Sequence, residues 1–137
     1  MANSKKKTPF SIPKIIDKDY LEDNPKVVFV FGDNIQRSGY GGAAVLRDCI
    51  NAYGFITKKR PDNGSTSFFK PEEYKLRFEM EIKRLEKRVT ASPNTTFLVS
   101  ALGAGLANRY NIYEEVIEEG LKEFSKKFKN VKLLKRL

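Results

Sequence analysis

A polar pair follows a run of apolar residues in the first third of the chain. Asp33 and Asn34 come shortly after residues 27–31, VVFVF, which predict a strand buried on both faces. A carboxylate can act as a general base or accept a hydrogen bond from an adenine amino group, and an amide can hold ribose hydroxyls or orient a water molecule. We therefore predict both residues as catalytic. The alternative is that each only caps the turn in which it lies.

Two glycine-rich loops each follow an apolar, strand-like run. The first glycine loop, residues 31–44, contains Gly32, Gly39, Gly41 and Gly42, and the second glycine loop, residues 100–108, contains Gly103 and Gly105. Glycine permits positive φ and brings backbone N–H groups close to a ligand. With the positive end of a following helix, such a loop can hold a phosphate or diphosphate. The alternative is that these glycines only shape tight turns.

The predicted ligand-binding residues lie in these two loops and at the end of a further strand. That strand, residues 55–57, leads into Lys58, which can pair with a phosphate, although a solvated surface lysine is the alternative. The predicted ligand-binding set is Gly32, Gly39, Gly41, Gly42, Ala43, Thr57, Lys58, Ser100, Leu102, Gly103, Ala104, Gly105 and Leu106.

Two absences narrow the chemistry. The chain has no histidine and one cysteine, Cys49, so it cannot build a Ser-His-Asp or Cys-His pair or a metal site rich in these residues. We predict no metal and no cofactor, and Cys49 as a packed core residue rather than a nucleophile. The sequence contains no G-x-x-x-x-G-K-[ST], and the G-x-G of the second glycine loop lacks the third glycine of a dinucleotide fingerprint.

The pattern of the whole chain predicts strands that alternate with helices. The predicted strands are 11–16 at a sheet edge, 27–31 ending at Gly32, 55–57, 96–102 and 131–134. The predicted helices are a short one or a turn before Pro25, 43–53 with Gly54 just beyond its end, one from Pro71 to about Val89, and one over about 112–128. Residues 58–71 read as a long loop. This alternation predicts an α/β fold, a three-layer α/β/α sandwich with a mostly parallel sheet.

Length and hydropathy predict one domain. With 137 residues, we expect a flexible basic arm over residues 1–10 and a single domain over residues 11–137. No apolar run approaches the roughly 20 residues needed to cross a bilayer, and no apolar segment follows the N-terminal lysines. We therefore expect a cytoplasmic protein with no membrane partner; its oligomeric state is left open.

The charge gives a second functional hypothesis. The formal net charge of +9 favours anionic partners, and basic clusters occur at 5–7, 58–60, 83–88 and 126–136. A basic nucleic-acid-binding accessory protein is therefore the alternative to a nucleotide-binding protein. Phe68, Phe69 and Tyr74 are aromatic residues that can stack on a base, with core packing as the default for Tyr74.

The two loops resemble those of macrodomains. FVFGDN with GYGGAA is similar to the strand, Asn-containing turn and Gly-Gly loop of that family, and LVSALGAGLANRY is similar to its later strand and glycine loop. The blocks FGDN, GGAA, TKK and GAGLA also resemble uncharacterised, often phage-encoded macrodomain-like proteins.

The resemblance implies a macrodomain-like sheet and a ligand such as ADP-ribose. It implies that Asn34 contacts the distal ribose, that Gly41 and Gly42 flank the ribose and phosphate, and that residues 100–106 wrap the diphosphate. It also implies hydrolysis of ADP-ribosyl or ADP-ribose phosphate substrates, in which Asn34 or Asp33 positions a water molecule. A protein that sequesters the nucleotide without chemistry is a further alternative.

Overall fold

A computed structural model describes residues 12–135 as four strands and three α-helices with short helical turns between them. The strands are β1 (Val27–Asn34), β2 (Ala52–Lys58), β3 (Thr96–Val99) and β4 (Val131–Leu133), and the helices are α1 (Lys18–Asp23), α2 (Pro71–Ala91) and α3 (Glu118–Lys127). All strand pairs are parallel, in the order β2-β1-β3-β4. This confirms the α/β class and the parallel sheet. The predicted arm, residues 1–10, lies outside the described residues.

The central strand β1 has apolar residues on both of its faces. Val28 and Val30 pack in one hydrophobic cluster, and Val27, Phe29 and Phe31 pack in a second one. Successive side chains of a strand point to opposite faces, so each face of the sheet has its own core. This explains why residues 27–31 read as a continuous apolar run, as a strand covered on both sides requires.

Helical segments cover both faces, but unequally. The first face carries the two long helices α2 and α3, which supply its buried aromatic and aliphatic side chains. The second face is covered by Leu21 of α1 and by Ala44 and Leu46 of a 3₁₀ helix, Gly42–Leu46. The prediction of helical layers on both faces is confirmed, with only short segments over the second face. Cys49, predicted as a packed core residue, is only partly buried and packs against the second cluster.

Helix α2 forms where its apolar stripe predicts it. Pro71 occupies its first turn, and the Glu73 carboxylate accepts a hydrogen bond from the Lys70 backbone N–H at 3.0 Å. Tyr74, Phe78 and Leu85 lie on its buried face. Within residues 12–135, neither this helix nor another has the length and hydropathy of a membrane-spanning segment.

The free edge of β2 is closed by side chains of α2. The Ile56 N–H donates to the Glu81 carboxylate at 2.9 Å, and the Ile56 carbonyl accepts from the Tyr74 hydroxyl at 2.6 Å. Two residues earlier on β2, the Gly54 carbonyl accepts a hydrogen bond from Arg84 Nη2 at 2.6 Å. These three edge groups are therefore already paired and are not available to another strand. Burial raises the pKa of the Tyr74 phenol far above its ordinary value, so the hydroxyl stays a donor.

The predicted helix over residues 43–53 is wrong. Only the 3₁₀ helix Gly42–Leu46 forms there, and β2 begins at Ala52, so Gly54 lies inside a strand and not beyond a helix. Ile50, which the helix would have buried, is 98% exposed. The Asn51 side chain explains the early strand start, because its amide donates to the carbonyls of Leu21, Asn24 and Val27 and ties the starts of β1 and β2 together.

Other predicted boundaries also change. The proposed edge strand over 11–16 is wrong: Ser11 lies outside the described residues, and residues 12–16 form no strand, with Ile16 packing against the second cluster. Strand β1 runs past Gly32 to Asn34, and β3 is shorter than the apolar run that contains it. The helix predicted over 112–128 and the last strand are confirmed, with a π-helical turn, Tyr113–Ile117, leading into α3.

The segments that follow β1 and β3 cross opposite faces of the sheet. The connection from β1 to β2 passes over the second face, where Ala44 and Leu46 are buried, whereas α2 connects β2 to β3 over the first face. The segments that leave β1 and β3 therefore diverge to opposite sides of the sheet. This topological switch point is where open parallel sheets form a crevice at the carboxyl ends of their strands.

Candidate functional site

The two glycine loops lie at one rim of the sheet. Val30 of β1 is paired with Val99 of β3, and the Ser100 N–H donates to the Val30 carbonyl at 3.0 Å. Since the two strands are parallel neighbours, both loops leave at their carboxyl ends. The candidate site is therefore the switch point between β1 and β3.

The outer part of the first glycine loop presents unpaired backbone amides. Within the described residues, the N–H groups of Ser38, Gly39, Tyr40 and Gly41 have no hydrogen-bond acceptor. Gly39 has φ +93° and Gly42 has φ +57°, a region that side chains rarely adopt. These two glycines therefore hold an exposed stretch of backbone in a shape that leaves its donors free.

Arg47 holds the first glycine loop through hydrogen bonds to its backbone. Its Nε donates to the Gly39 carbonyl at 2.9 Å, its Nη2 to the Ser38 carbonyl at 3.0 Å, and its Nη1 lies 2.8 Å from Asp33 Oδ1. All three guanidinium nitrogens are thus used, and the side chain is only 13% exposed. Because a guanidinium is planar and multidentate, it can hold two carbonyls and a carboxylate at once.

Asp33 is buried and joined to two arginines. Its Oδ1 accepts from Arg47 and from the Asn34 N–H at 2.8 Å, and its Oδ2 accepts from Arg37 Nη1 at 3.1 Å. The Asp33 side chain is 2% exposed, and Arg37 is 42% exposed. Arg37 also donates to the Gly54 carbonyl at 2.9 Å, which links the loop to β2. The buried Asp33 carboxylate therefore fixes the positions of the two arginines that contact the loop.

Asn34 is buried beside it and only partly hydrogen-bonded. Its Nδ2 donates to the Ser38 carbonyl at 2.8 Å, whereas its Oδ1 is buried with no hydrogen-bond partner. Buried acceptors without a partner are rare in folded proteins. The amide therefore supports the first glycine loop in this conformation, and its oxygen is the one acceptor among the Asp33 and Asn34 side chains left without a partner in the described structure.

At the end of β2, Thr57 lies against Gly32 and Asp33 of β1, and Lys58 contacts the loop that follows β2. The Thr57 hydroxyl donates to the Asp33 carbonyl at 3.4 Å and would lie 3.1 Å from a Cβ at Gly32. Lys58 Nζ donates to the Asp62 carbonyl at 3.0 Å and lies 4.8 Å from the Phe68 ring centroid. Desolvation lowers the pKa of Lys58. Lys58 thus holds the loop that follows β2.

The second glycine loop has a buried part and an exposed part. Leu102 and Gly103 are buried; Gly103 has φ +78°, and a Cβ there would lie 2.5 Å from Ile117 Cδ1. Gly105 and Leu106 are exposed, and among the described residues the Gly105 N–H has no acceptor. Of the predicted residues in this loop, Leu102 and Gly103 shape the turn, and Gly105 and Leu106 face solvent together with partly buried Ser100 and Ala104.

Two cavities of the described structure are lined by other segments than the first glycine loop. One of about 40 Å³ touches Ser100 and Ala101, and one of about 510 Å³ lies between the start of α2 and Arg109. Phe68, Phe69 and Tyr74 are all buried, so none of them stacks on a base at the surface. Within residues 12–135, no three Cys, Asp or Glu side chains are grouped closely enough to hold a metal ion.

The basic cluster on α2 is partly used inside the protein. Arg84 stacks on Tyr53 at 4.6 Å and pairs with Glu81 at 2.8 Å, and Arg88 lies 5.7 Å from the same ring. These contacts occupy two of the four cations that suggested a nucleic-acid surface there. The nucleic-acid hypothesis stays a prediction.

Sequence reasoning located the loops but missed the arginines that hold them. Arg37 and Arg47 both reach Asp33, and neither was among the predicted site residues. One signal was present: a carboxylate directly after a buried strand requires a cationic or N–H partner. Two arginines lie within the following fourteen residues.

The fold and site define an α/β protein with two glycine loops at the switch point of a parallel sheet. Residues 12–111 match the family described as a family of unknown function (DUF7831), and the chain belongs to that family. The matched region includes both glycine loops, strands β1 to β3 and helix α2. No curated protein and no solved structure matches the chain.

Proposed function

We propose that the chain binds ADP-ribose or a related nucleotide diphosphate at the two glycine loops. The observation that carries the proposal is the position of these loops, side by side at the carboxyl ends of β1 and β3. Ligands of open parallel sheets bind at such a switch point. The resemblance to macrodomains supports the same ligand class.

The chemistry of the first glycine loop suits a diphosphate. The free N–H groups of residues 38–41 supply hydrogen-bond donors to anionic oxygens, and Gly41 and Gly42 leave the backbone uncovered because no side chain stands over it. Arg37 is half exposed beside the loop and adds positive charge. The net charge of +9 attracts the same class of ligand.

The proposal concerns binding of the nucleotide, and hydrolysis is secondary to it. Both carboxylate oxygens of Asp33 are paired with arginines, and the Asp33 side chain is almost inaccessible to water. General-base catalysis requires hydrogen-bond reach to the water that is activated. We therefore expect binding without turnover while the first glycine loop keeps this conformation.

Isothermal titration with ADP-ribose tests the proposal. A Cβ at Gly41 would meet nothing within 4 Å and the backbone there has φ −77°, so both Gly41→Ala and Gly41→Glu are expected to fold. Gly41→Ala should retain binding, and Gly41→Glu should lose about tenfold or more in affinity because its carboxylate repels the diphosphate.

The proposal fails if the folded wild-type protein does not bind ADP-ribose at millimolar concentration, or if the two variants bind equally well. Incubation with ADP-ribosylated protein and with ADP-ribose 1''-phosphate separates binding from hydrolysis. Release of ADP-ribose or of phosphate would show that the loop opens Asp33 or Asn34 to water.

A further inference from the structure

The larger cavity, of about 510 Å³, carries an unusual set of charges. Its lining includes Lys70 and Lys75 from the start of α2 and Arg109 from the segment after the second glycine loop. Glu72 and Glu115 line the same space. Its volume falls in the range of about 300 to 1,000 Å³ that is usual for small-molecule sites.

These five charged side chains form no ion pair with one another in the described structure. Within residues 12–135, none of them forms an ion pair, although cations and carboxylates line one cavity. Nearby, Lys59 Nζ and Glu73 Oε1 lie 3.0 Å apart, so Glu73 is paired outside the cavity. The cavity therefore offers separate cationic and anionic groups to a ligand.

The aromatic wall of the cavity is fixed in place. The Tyr110 hydroxyl donates to the Ser65 carbonyl at 3.2 Å, and its ring meets Phe68 edge to face at 6.5 Å. Lys70 Nζ and the Arg109 guanidinium lie 5.6 Å and 5.8 Å from the same ring centroid. Contacts between cations and aromatic rings at this distance are attractive, so two of the three cations have a preferred position before a ligand arrives.

We propose that this cavity is a separate binding site for a small phosphorylated molecule with free hydroxyl groups, of the sugar phosphate or nucleotide class. Lys70, Lys75 and Arg109 receive the phosphate, since a phosphate can accept several charge-assisted hydrogen bonds. Glu72 and Glu115 accept hydrogen bonds from the hydroxyls, and the sugar packs against Tyr110. The site shares no lining residue with the first glycine loop and does not rest on the function proposed above.

The test is a titration of ¹⁵N-labelled protein, followed by NMR, with AMP, ribose 5-phosphate, inorganic phosphate and adenosine. We expect saturable shifts at residues 70–75 and 109–111 with AMP or ribose 5-phosphate. Adenosine lacks the phosphate and inorganic phosphate lacks the hydroxyls. Each should therefore bind with an affinity lower by about tenfold or more.

A matched pair of variants assigns the binding to the cavity. Lys75 and Lys83 are both exposed on α2 without an ion pair in the described structure, but only Lys75 lines the cavity. Lys75→Glu should weaken ribose 5-phosphate binding about tenfold, and Lys83→Glu, with the same change in net charge, should weaken it less than about twofold. Equal losses, equal binding of adenosine and AMP, or no saturable shift at these residues would overturn the proposal.

The two sites are distinguishable by the same spectra. Gly41→Glu should leave the shifts at residues 109–111 unchanged, and Lys75→Glu should leave ADP-ribose shifts at residues 38–41 unchanged. Failure of ADP-ribose to bind the glycine loops thus leaves the cavity proposal intact, and the reverse also holds.

Discussion

Arg47 is the residue on which the conformation of the first glycine loop depends most. It connects two loop carbonyls with the buried Asp33 carboxylate, and its own exposure is low. Removing one partner of a buried ion pair leaves an uncompensated charge, which typically costs several kcal/mol. Arg37 is the natural comparison, because it contacts the same carboxylate from a more exposed position.

We expect Arg47→Ala to lower the free energy of unfolding by about 2 to 3 kcal/mol, since Asp33 keeps only Arg37 as its cationic partner. Arg37→Ala should cost about 1 kcal/mol or less, because its side chain is 42% exposed and Arg47 still pairs with Asp33. Urea denaturation followed by circular dichroism measures both. Equal losses in the two variants would show that the hydrogen bonds to the loop carbonyls and the burial of Arg47 contribute little to the free energy of unfolding.

At the level of single residues, the sequence indicated where the ligand-facing backbone lies but not what supports it. Gly39, Gly41 and Gly42 were identifiable because glycines gathered after a buried strand have few other uses. The partners of Asp33 were not identifiable in the same way. Arg37 and Arg47 are two of 26 basic residues, and only the folded path of the loop brings them to one carboxylate.

Among the secondary-structure elements, α2 has a second role as the cover of the β2 edge. Glu81 is buried, and the same Oε1 accepts from the Ile56 N–H and from Arg84 at 2.8 Å. A backbone donor at an exposed sheet edge can recruit another chain. The Glu81 carboxylate therefore contributes to stability and occupies a backbone donor that could otherwise pair with another strand.

We expect Glu81→Ala to lower the free energy of unfolding by about 2 to 3 kcal/mol and to promote association through β2, because the Ile56 N–H loses its acceptor and Arg84 loses its carboxylate partner. Glu79→Ala, an exposed position two residues earlier on the helix, should change stability by less than about 0.5 kcal/mol. Urea denaturation and size-exclusion chromatography report the two effects. A Glu81→Ala protein as stable and as monomeric as the control would contradict this role.

The elements that sequence reasoning placed correctly are those with local signals. Pro71 and the stripe containing Tyr74 and Phe78 define α2 without reference to the rest of the chain. Residues 43–53 carry a similar apolar recurrence, yet they form a 3₁₀ helix and the start of β2. The decisive contacts there are the hydrogen bonds from Asn51 to residues 24 to 30 positions earlier, and no local pattern contains them.

For the whole molecule, the arrangement of the sheet predicts a gradient of stability. Strands β1 and β3 are central and buried on both faces, whereas the outer part of the first glycine loop is exposed and its amides are unpaired. Local opening is easiest where buried apolar contacts and hydrogen bonds are few.

We expect hydrogen exchange to be slowest at residues 28–31 and 97–99 and fastest at residues 38–41, because only the former open with global unfolding. Saturating ADP-ribose should slow exchange at residues 38–41 and leave the central strands unchanged. Mass spectrometry or NMR of the exchange reaction measures both. A loop already protected in the free protein would show that its amides are not available to a ligand.

The all-parallel sheet also determines when the chain can fold during synthesis. Val27 of β1 pairs with Thr96 of β3, and β1 meets β2 only after the intervening 3₁₀ segment, so no strand of this sheet folds back as a hairpin. The most apolar stretch of the protein therefore leaves the ribosome long before its second neighbour is made. Such non-local pairing slows folding, and the nascent β1 is open to aggregation until it pairs with β2.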